Sequence, residues 1–125
     1  MTFKRNIIMT TKSYKNITQD LNQYLAKMRK EIPDVMTGFS ALAQASLKDG
    51  VINKKTKEMI ALAIGITSHC DGCIGFHVKA LIGLGITREE LLEVLAMTTY
   101  MGGGPSLMYA ADALRAYEEF TDESK

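Results

Sequence analysis

The sequence lacks the features of several large classes of protein. No apolar stretch is long enough to span a bilayer, and the run at residues 7–9 is too short for the apolar region of a signal peptide. The 15 Lys and Arg residues are offset by 14 Asp and Glu residues, so the net charge is only +1 and no basic surface for nucleic acid is indicated. We therefore expect a cytoplasmic protein that binds neither membranes nor nucleic acids.

Proline and strand-like patterns are also scarce. The chain has only 2 prolines, Pro33 and Pro105, and each stands at the start of an apolar periodic run, which is where helices tolerate proline. No stretch alternates apolar and polar residues as a half-buried strand does, whereas apolar residues at helical spacing recur along most of the chain. The 125 residues suit one all-α domain with its own core.

Six helices are predicted between a polar arm at residues 1–12 and a polar tail at residues 121–125. The run of glycines at residues 102–104 is expected to separate the fifth helix from the sixth, which Pro105 then opens. The expected bounds are about 13–32, 33–48, 54–67, 71–84, 88–101 and 105–120.

Capping residues mark several of these helix ends. Asn53 is a suitable N-cap for the third helix, because its side chain can accept a backbone N–H that has no partner within the helix. Gly85 is expected to close the fourth helix. Thr87 and Glu90 have the spacing of a capping box and are expected to open the fifth.

The predicted helices carry more apolar surface than a single layer covers. The third helix is apolar nearly all round at residues 59–64 and should be central. The second is expected to turn these residues inward: Val35, Met36, Phe39, Leu42, Ala43 and Leu47. Further apolar residues follow in the later helices, notably Met97, Tyr100, Met101, Leu107, Met108 and Tyr109. We expect a closed homo-oligomer that buries part of this surface.

Both cysteines and both histidines fall in one stretch, residues 67–77. Cys70 and Cys73 form a C-x-x-C pair, and His77 follows Cys73 by four positions. Two thiols at this spacing can close a small disulfide ring when the second lies in the first turn of a helix. The helix start favours a thiolate through its free N–H groups and dipole, and an imidazole one turn further on can exchange a proton with the sulfur. The stretch predicts a redox site at the start of a central helix.

Glu58 completes the candidate site if the third and fourth helices form an antiparallel hairpin. With the turn at Thr67 and Ser68, residues equidistant from it lie level, and Glu58 is then level with His77. In this arrangement a carboxylate faces an imidazole, Cys73 lies one turn above His77, and Cys70 lies at the N-terminus of the helix. The order Glu58, His77, Cys73, Cys70 is that of a proton relay that leads to a dithiol. Because Glu58 lies beside an apolar run, we expect it to be partly buried.

Other interpretations of these residues remain open. Cys70, Cys73 and His77 could supply three zinc ligands with Glu58 as a fourth, but a closed structural site usually has four Cys or His ligands, and we expect no bound zinc. His69 has the character of a polar turn residue rather than a catalyst. The stretch at residues 102–106 lacks the Lys-Ser/Thr ending of a phosphate-binding loop and follows a helix, so a tight helix–helix turn is expected.

The spacing of Glu58, Cys70, Cys73 and His77 resembles the signature of the AhpD-like alkylhydroperoxidase and carboxymuconolactone decarboxylase superfamily. The ending at residues 103–114 is similar to that of its short single-domain members, and the resemblance covers about residues 35–120. It implies an all-helical fold that assembles as homotrimers or homohexamers. It also implies thiol-dependent peroxidase or disulfide reductase activity without a cofactor.

The same resemblance implies roles for the four residues. Cys73 would attack peroxide through a sulfenic acid, Cys70 would resolve it to a disulfide, and His77 with Glu58 would relay the proton. A dithiol, such as a lipoyl protein or a thioredoxin-like protein, would return the electrons. Gly72 stands where the peroxidases carry a histidine. The alternatives are a decarboxylase of the carboxymuconolactone type, whose branch generally lacks the C-x-x-C, and a redox- or zinc-sensing oligomeric binding protein.

Overall fold

The fold is all-α over residues 11–123, the part of the chain that the computed structural model describes. The helices are α1 (Tyr14–Glu31), α2 (Pro33–Leu47), α3 (Lys54–Thr67), α4 (Asp71–Gly83) and α5 (Arg88–Thr121). These described residues contain no strand, which confirms the predicted class. Most of the predicted arm and the end of the predicted tail, residues 1–10 and 124–125, lie outside the described residues.

The prediction of six helices is wrong for the described residues, because the fifth and sixth form one element. α5 runs for 34 residues with a kink at Gly103, whose φ of 75° and ψ of −160° are not helical. A glycine adopts such a positive φ without a Cβ clash, so one residue absorbs the change that the whole glycine run was expected to make. Pro105 follows within the first turn after the kink, where its missing N–H costs little.

The predicted caps are present at the helix starts. Asn53 accepts the N–H of Thr56 at 2.8 Å and begins α3. Thr87 accepts the N–H of Glu90 at 3.0 Å, while the Glu90 carboxylate accepts the N–H of Thr87 at 2.9 Å, which confirms the capping box of α5. Gly85 has a φ of 83° just beyond α4, as a closing glycine should.

The core lies where α3, α4 and α5 meet, with α1 packed across α4. Its most deeply buried apolar residues are Tyr14, Leu62, Ile66, Ile74, Val78, Leu81, Leu91, Ala113 and Ala116. The predicted central position of α3 is confirmed on one face only, because Ile60 and Ile64 on the opposite face are 47% and 60% exposed. No helix within residues 11–123 has the length and apolar character needed to cross a membrane.

The apolar face of α2 does not enter this core. α2 contains no buried residue, and Val35, Phe39 and Leu42 are 62%, 67% and 62% exposed. The expectation that this face points inward is therefore wrong for a single chain. The physical reason is position: α2 contacts α1 and α3 at the edge of the bundle and does not reach α5.

Candidate functional site

The junction between α3 and α4 places the cysteines. Ser68 is the C-cap of α3, and His69 follows with a φ of 58°, a left-handed conformation that is uncommon outside glycine. His69 donates its N–H to the carbonyl of Ile66 at 3.0 Å, and Cys70 donates its N–H to that of Gly65 at 3.0 Å. His69 is thus the residue that reverses the chain, in agreement with the predicted turn role, and the reversal leaves Cys70 at the N-cap of α4.

Cys70 and Cys73 are joined by a disulfide across the first turn of α4, with their Cα atoms 5.2 Å apart. Both residues are partly exposed. The N–H of Cys73 donates to Sγ of Cys70 at 3.1 Å, so in this oxidised state the free N–H at the helix start contacts the first sulfur. The free N–H at the helix start therefore favours negative charge on Cys70.

Glu58 and His77 meet across the α3–α4 hairpin, as their equal distance from the turn predicts. Nδ1 of His77 lies 2.6 Å from Oε1 of Glu58. Glu58 is buried, with 4% of its surface exposed, whereas the His77 side chain is 30% exposed. A buried carboxylate requires such a partner, because an unpaired charge in the interior is costly. When Nδ1 carries the proton that Glu58 accepts, Nε2 of His77 is left as a base.

Gly65 brings Cys73 against α3, a contact that the sequence analysis missed. An ideal Cβ built on Gly65 would lie 2.8 Å from Cβ of Cys73, closer than real side chains approach. Cys73 therefore faces α3, and His77, one turn further along α4, faces it too. Glu58 of α3 therefore lies in the hairpin interface with Cys73 and His77 of α4. Cys70 lies at the N-terminus of α4.

A network of polar side chains surrounds Asp71, the residue between Cys70 and Gly72. Oδ1 of Asp71 accepts hydrogen bonds from the Tyr14 hydroxyl at 2.7 Å and from Nζ of Lys12 at 3.0 Å. Nζ of Lys12 also donates to Oδ2 of Asp112 at 2.7 Å. We call Lys12, Tyr14, Asp71 and Asp112 the Asp71 network. Apart from an acidic residue in a first helical turn, no local pattern predicts this network. Lys12, at the end of the predicted polar arm, is held by two carboxylates.

Aromatic rings extend this cluster at the surface. The rings of His69 and Tyr109 are stacked, with centroids 4.6 Å apart and planes within 7°. Nζ of Lys12 lies 5.0 Å from the centroid of the Tyr109 ring, so its cation also contacts an aromatic face. Burial and the hydrogen bond to Asp71 raise the pKa of Tyr14, which keeps its hydroxyl protonated as a donor.

The described residues offer no obvious metal centre. Residues 11–123 contain no group of three or more His, Cys, Asp or Glu side chains arranged to hold a metal ion. Cys70 and Cys73 bind each other, so neither sulfur is a thiolate ligand in this state. The arrangement is suited to thiol–disulfide chemistry with an adjacent proton acceptor.

Comparison with known proteins gives the family to which this fold and site belong. Residues 33–116 match the model of the carboxymuconolactone decarboxylase family, and the chain belongs to this family, within the superfamily that includes the AhpD-like proteins. It is 36% identical over 110 residues to an uncharacterized protein of Cupriavidus necator, and this aligned region spans 88% of this chain and 96% of that protein.

Solved structures and one named relative extend the comparison. A carboxymuconolactone decarboxylase family protein from Legionella pneumophila, crystallised in its apo form, has 61% identity and a TM-score of 0.85, over 86% of this chain and 96% of that one. A family protein from Thermotoga maritima, for which an antioxidative role has been suggested, has 28% identity and a TM-score of 0.65, over 70% of this chain and 90% of that one. The alkyl hydroperoxide reductase AhpD of Mycobacteroides abscessus is 30% identical over 63 residues, which is 50% of this chain and 36% of that protein.

Proposed function

We propose that the protein is a thiol-dependent, peroxidase-like antioxidant enzyme that uses Cys70 and Cys73 as its redox dithiol. The observation that carries this proposal is the contact between Glu58 and His77, which sits one turn below the dithiol on the same hairpin. The similarity to AhpD of Mycobacteroides abscessus and to the Thermotoga maritima protein supports the same class of chemistry.

The proposed cycle has three balanced steps. The thiolate of one cysteine attacks the outer oxygen of a hydroperoxide, breaks the O–O bond, and becomes a sulfenic acid while the alkoxide leaves as an alcohol after protonation. The second thiol attacks this sulfenic sulfur, forms the disulfide and releases water. An external dithiol then gives two electrons and two protons to the disulfide and becomes a disulfide itself.

We assign the attack to Cys73 and the resolving step to Cys70. Cys73 lies on the face of α4 that carries His77, and in the proposed reaction Nε2 of His77 accepts the thiol proton and later returns it to the leaving alkoxide. Glu58 holds the imidazole through Nδ1 and stabilises its cation. Cys70 lies at the helix mouth, where an incoming dithiol reaches it first. The N–H contact at Cys70 favours the reverse assignment, and the trapping experiment below decides between them.

The partners of this reaction follow from its chemistry. The proposed substrate is a hydroperoxide, and the proposed reductant is a carrier dithiol such as a lipoyl protein or a thioredoxin-like protein in the cytoplasm. No cofactor takes part, because the cysteines carry the electrons. We also propose a homo-oligomer, a trimer or a hexamer, because large apolar side chains on α2 and α5 are exposed in the single chain.

Trapping of the sulfenic acid tests the proposal and the two roles. Reduced Cys70→Ser and Cys73→Ser are each treated with one equivalent of peroxide and then with a dimedone reagent. We expect Cys70→Ser to be labelled at Cys73 and Cys73→Ser to remain unlabelled. Labelling of Cys73→Ser alone would reverse the roles.

Failure of the whole proposal has its own signature. If neither variant is labelled and the wild-type protein forms no disulfide with peroxide, the peroxidase hypothesis is wrong. The family match then favours decarboxylase activity. Release of carbon dioxide from a carboxylated lactone would reveal this activity, and both serine variants should retain it.

A further inference from the structure

An ion pair joins the segment before α1 to the first turn of α4, next to the dithiol. Lys12 lies 59 positions before Asp71 and 100 before Asp112, yet its ammonium group binds both carboxylates. Tyr14, the first residue of α1 and fully buried, adds a hydroxyl to the same oxygen of Asp71. Asp71 is next in sequence to Cys70, so their Cα atoms are only about 3.8 Å apart.

The charges around the dithiol come from every neighbouring element. The titratable and charged groups that contact this region or each other are Glu58 from α3, His69 from the turn, Asp71 and His77 from α4, Tyr109, Asp112, Arg115 and Glu119 from α5, and Lys12 and Tyr14 from the start of the described chain. Among them His69 and Asp71 flank Cys70 in sequence, and Asp71 is the one that brings a negative charge. A negative charge near a thiol opposes the formation of a thiolate.

We propose that Lys12 is a positioning residue for the redox site. It fixes the orientation of the Asp71 side chain and neutralises the negative charge of Asp71 beside Cys70 and Cys73. The residue acts through Asp71 and does not itself contact a sulfur. The inference depends on the proposed dithiol function and adds to it a control over how readily the thiols ionise.

The geometry supports a neutralising rather than a merely packing role. Burial alone lowers the pKa of Lys12, but the hydrogen bonds to Asp112 and Asp71 outweigh it and leave the pKa above its ordinary value, so Lys12 stays charged. The side chains of Lys12 and Asp71 are each 37% exposed, so their ion pair is partly buried, and partly buried charges are screened less than fully exposed ones. Salt therefore screens their effect on the thiols only in part.

Two charge-removing substitutions distinguish electrostatics from structure because they act with opposite signs. Lys12→Met leaves Asp71 unneutralised, so thiolates become less stable. Asp71→Asn removes the negative charge but keeps an oxygen for Tyr14, so thiolates become more stable. We expect the rate of iodoacetamide alkylation of the reduced protein at pH 7 to fall about threefold in the first and to rise about threefold in the second, which corresponds to about half a pKa unit each.

Equilibrium with dithiothreitol gives a second readout, because two electrons and two protons pass from that reagent to the protein disulfide. Lys12→Met should increase the fraction of disulfide at a fixed ratio of reduced to oxidised reagent, and Asp71→Asn should decrease it. Lys12→Arg should behave as wild type. The control is Lys27→Met, which removes a lysine 4.6 Å from the Tyr24 ring, and Lys27 lies roughly 20 Å along α1 from Tyr14.

The signs decide the outcome. If Lys12→Met and Asp71→Asn shift the alkylation rate in the same direction, or if neither differs from Lys27→Met, the inference is wrong. A wild-type protein that alkylates and reoxidises normally but consumes no peroxide would contradict the proposed peroxidase function instead, since neither readout here uses peroxide.

Discussion

Gly65 lies so close to Cys73 that an ideal Cβ built on Gly65 would be 2.8 Å from Cβ of Cys73. Gly65→Ala should push α4 away from α3 or displace Cys73. We expect a loss of about 1–3 kcal/mol in the free energy of unfolding from overpacking, together with slower sulfenic acid formation. Thermal unfolding and single-turnover peroxide reduction measure the two effects.

The matched control for this substitution is Gly38→Ala in α2. An ideal Cβ at Gly38 meets no atom within 4 Å, so alanine should leave stability unchanged or raise it by up to about 1 kcal/mol through its better helix propensity. Equal destabilisation by the two substitutions would contradict the importance of the close contact at Gly65.

Glu58→Gln is expected to separate folding from proton transfer. The amide has nearly the same shape and retains a hydrogen-bonding oxygen, but it cannot stabilise the cation of His77. We expect sulfenic acid formation to slow by up to about 100-fold, the lower end of the roughly 10²- to 10⁴-fold that general acid–base catalysis contributes, because His77 keeps its imidazole and loses only its anionic partner. The pH profile of the reaction should also shift. Glu93→Gln on the exposed face of α5 is the control and should be silent. A Glu58→Gln protein with a normal rate would remove Glu58 from the relay.

Glu119 should make stability depend on acidity. It accepts the Ser13 hydroxyl at 2.6 Å and the N–H groups of Tyr14 and Lys15 at 2.7 and 3.1 Å, so it caps the start of α1 from the far end of α5. Burial tends to raise the pKa of Glu119, but these hydrogen bonds outweigh it and hold that pKa below the ordinary 4.5. Its contribution is therefore present above about pH 4.5 and is lost as the pH falls through the lowered folded value.

The substitution Glu119→Gln checks this dependence. We expect it to cost about 1–2 kcal/mol in the free energy of unfolding at pH 7, as the loss of a helix cap does, and to cost less as the protein is acidified. Chemical unfolding at several pH values gives the measurement. Glu31→Gln, at the exposed end of α1, is the control. A cost that does not change with pH would show that the charge of Glu119 is unimportant.

The exposed apolar residues of α5 should hold subunits together. Tyr100 and Met101 are 79% and 73% exposed in the single chain, and Met97 is 57% exposed. Tyr100→Glu should weaken the proposed homo-oligomer, since a carboxylate would be buried there without a partner. Sedimentation velocity at micromolar concentration checks this, with Gln23→Glu on the exposed side of α1 as the control. A wild-type protein that sediments as a monomer would contradict the proposed assembly.

Local signals in the sequence predicted much of this fold and its site. Asn53 and Thr87 mark helix starts because a side chain supplies the missing acceptor within three residues. The pairing of Glu58 with His77 was predictable because a short turn fixes the level of two antiparallel helices. The roles of the cysteines stay predictions, since the fold places them without showing which one reacts.

Other features depend on contacts that the sequence does not encode locally. Apolar periodicity in α2 predicted a buried face but not whether the covering surface lies in the same chain. The glycines before Pro105 predicted a break, yet Gly103 alone departs from helical angles, because one positive φ suffices for the kink. The contact of Lys12 with Asp71 joins residues 59 positions apart, and neither residue has a local pattern that points to the other.

The disulfide between Cys70 and Cys73 encloses a ring of only four residues. The entropy that a cross-link removes from an unfolded chain grows with the length of the loop it closes, so this bond constrains the chain much less than a bond between distant segments does. α3 and α4 are already held together by their packing and by Glu58 and His77. We therefore expect the folded bundle to persist when the disulfide is reduced, so that electrons could enter and leave in the proposed cycle without a change of architecture.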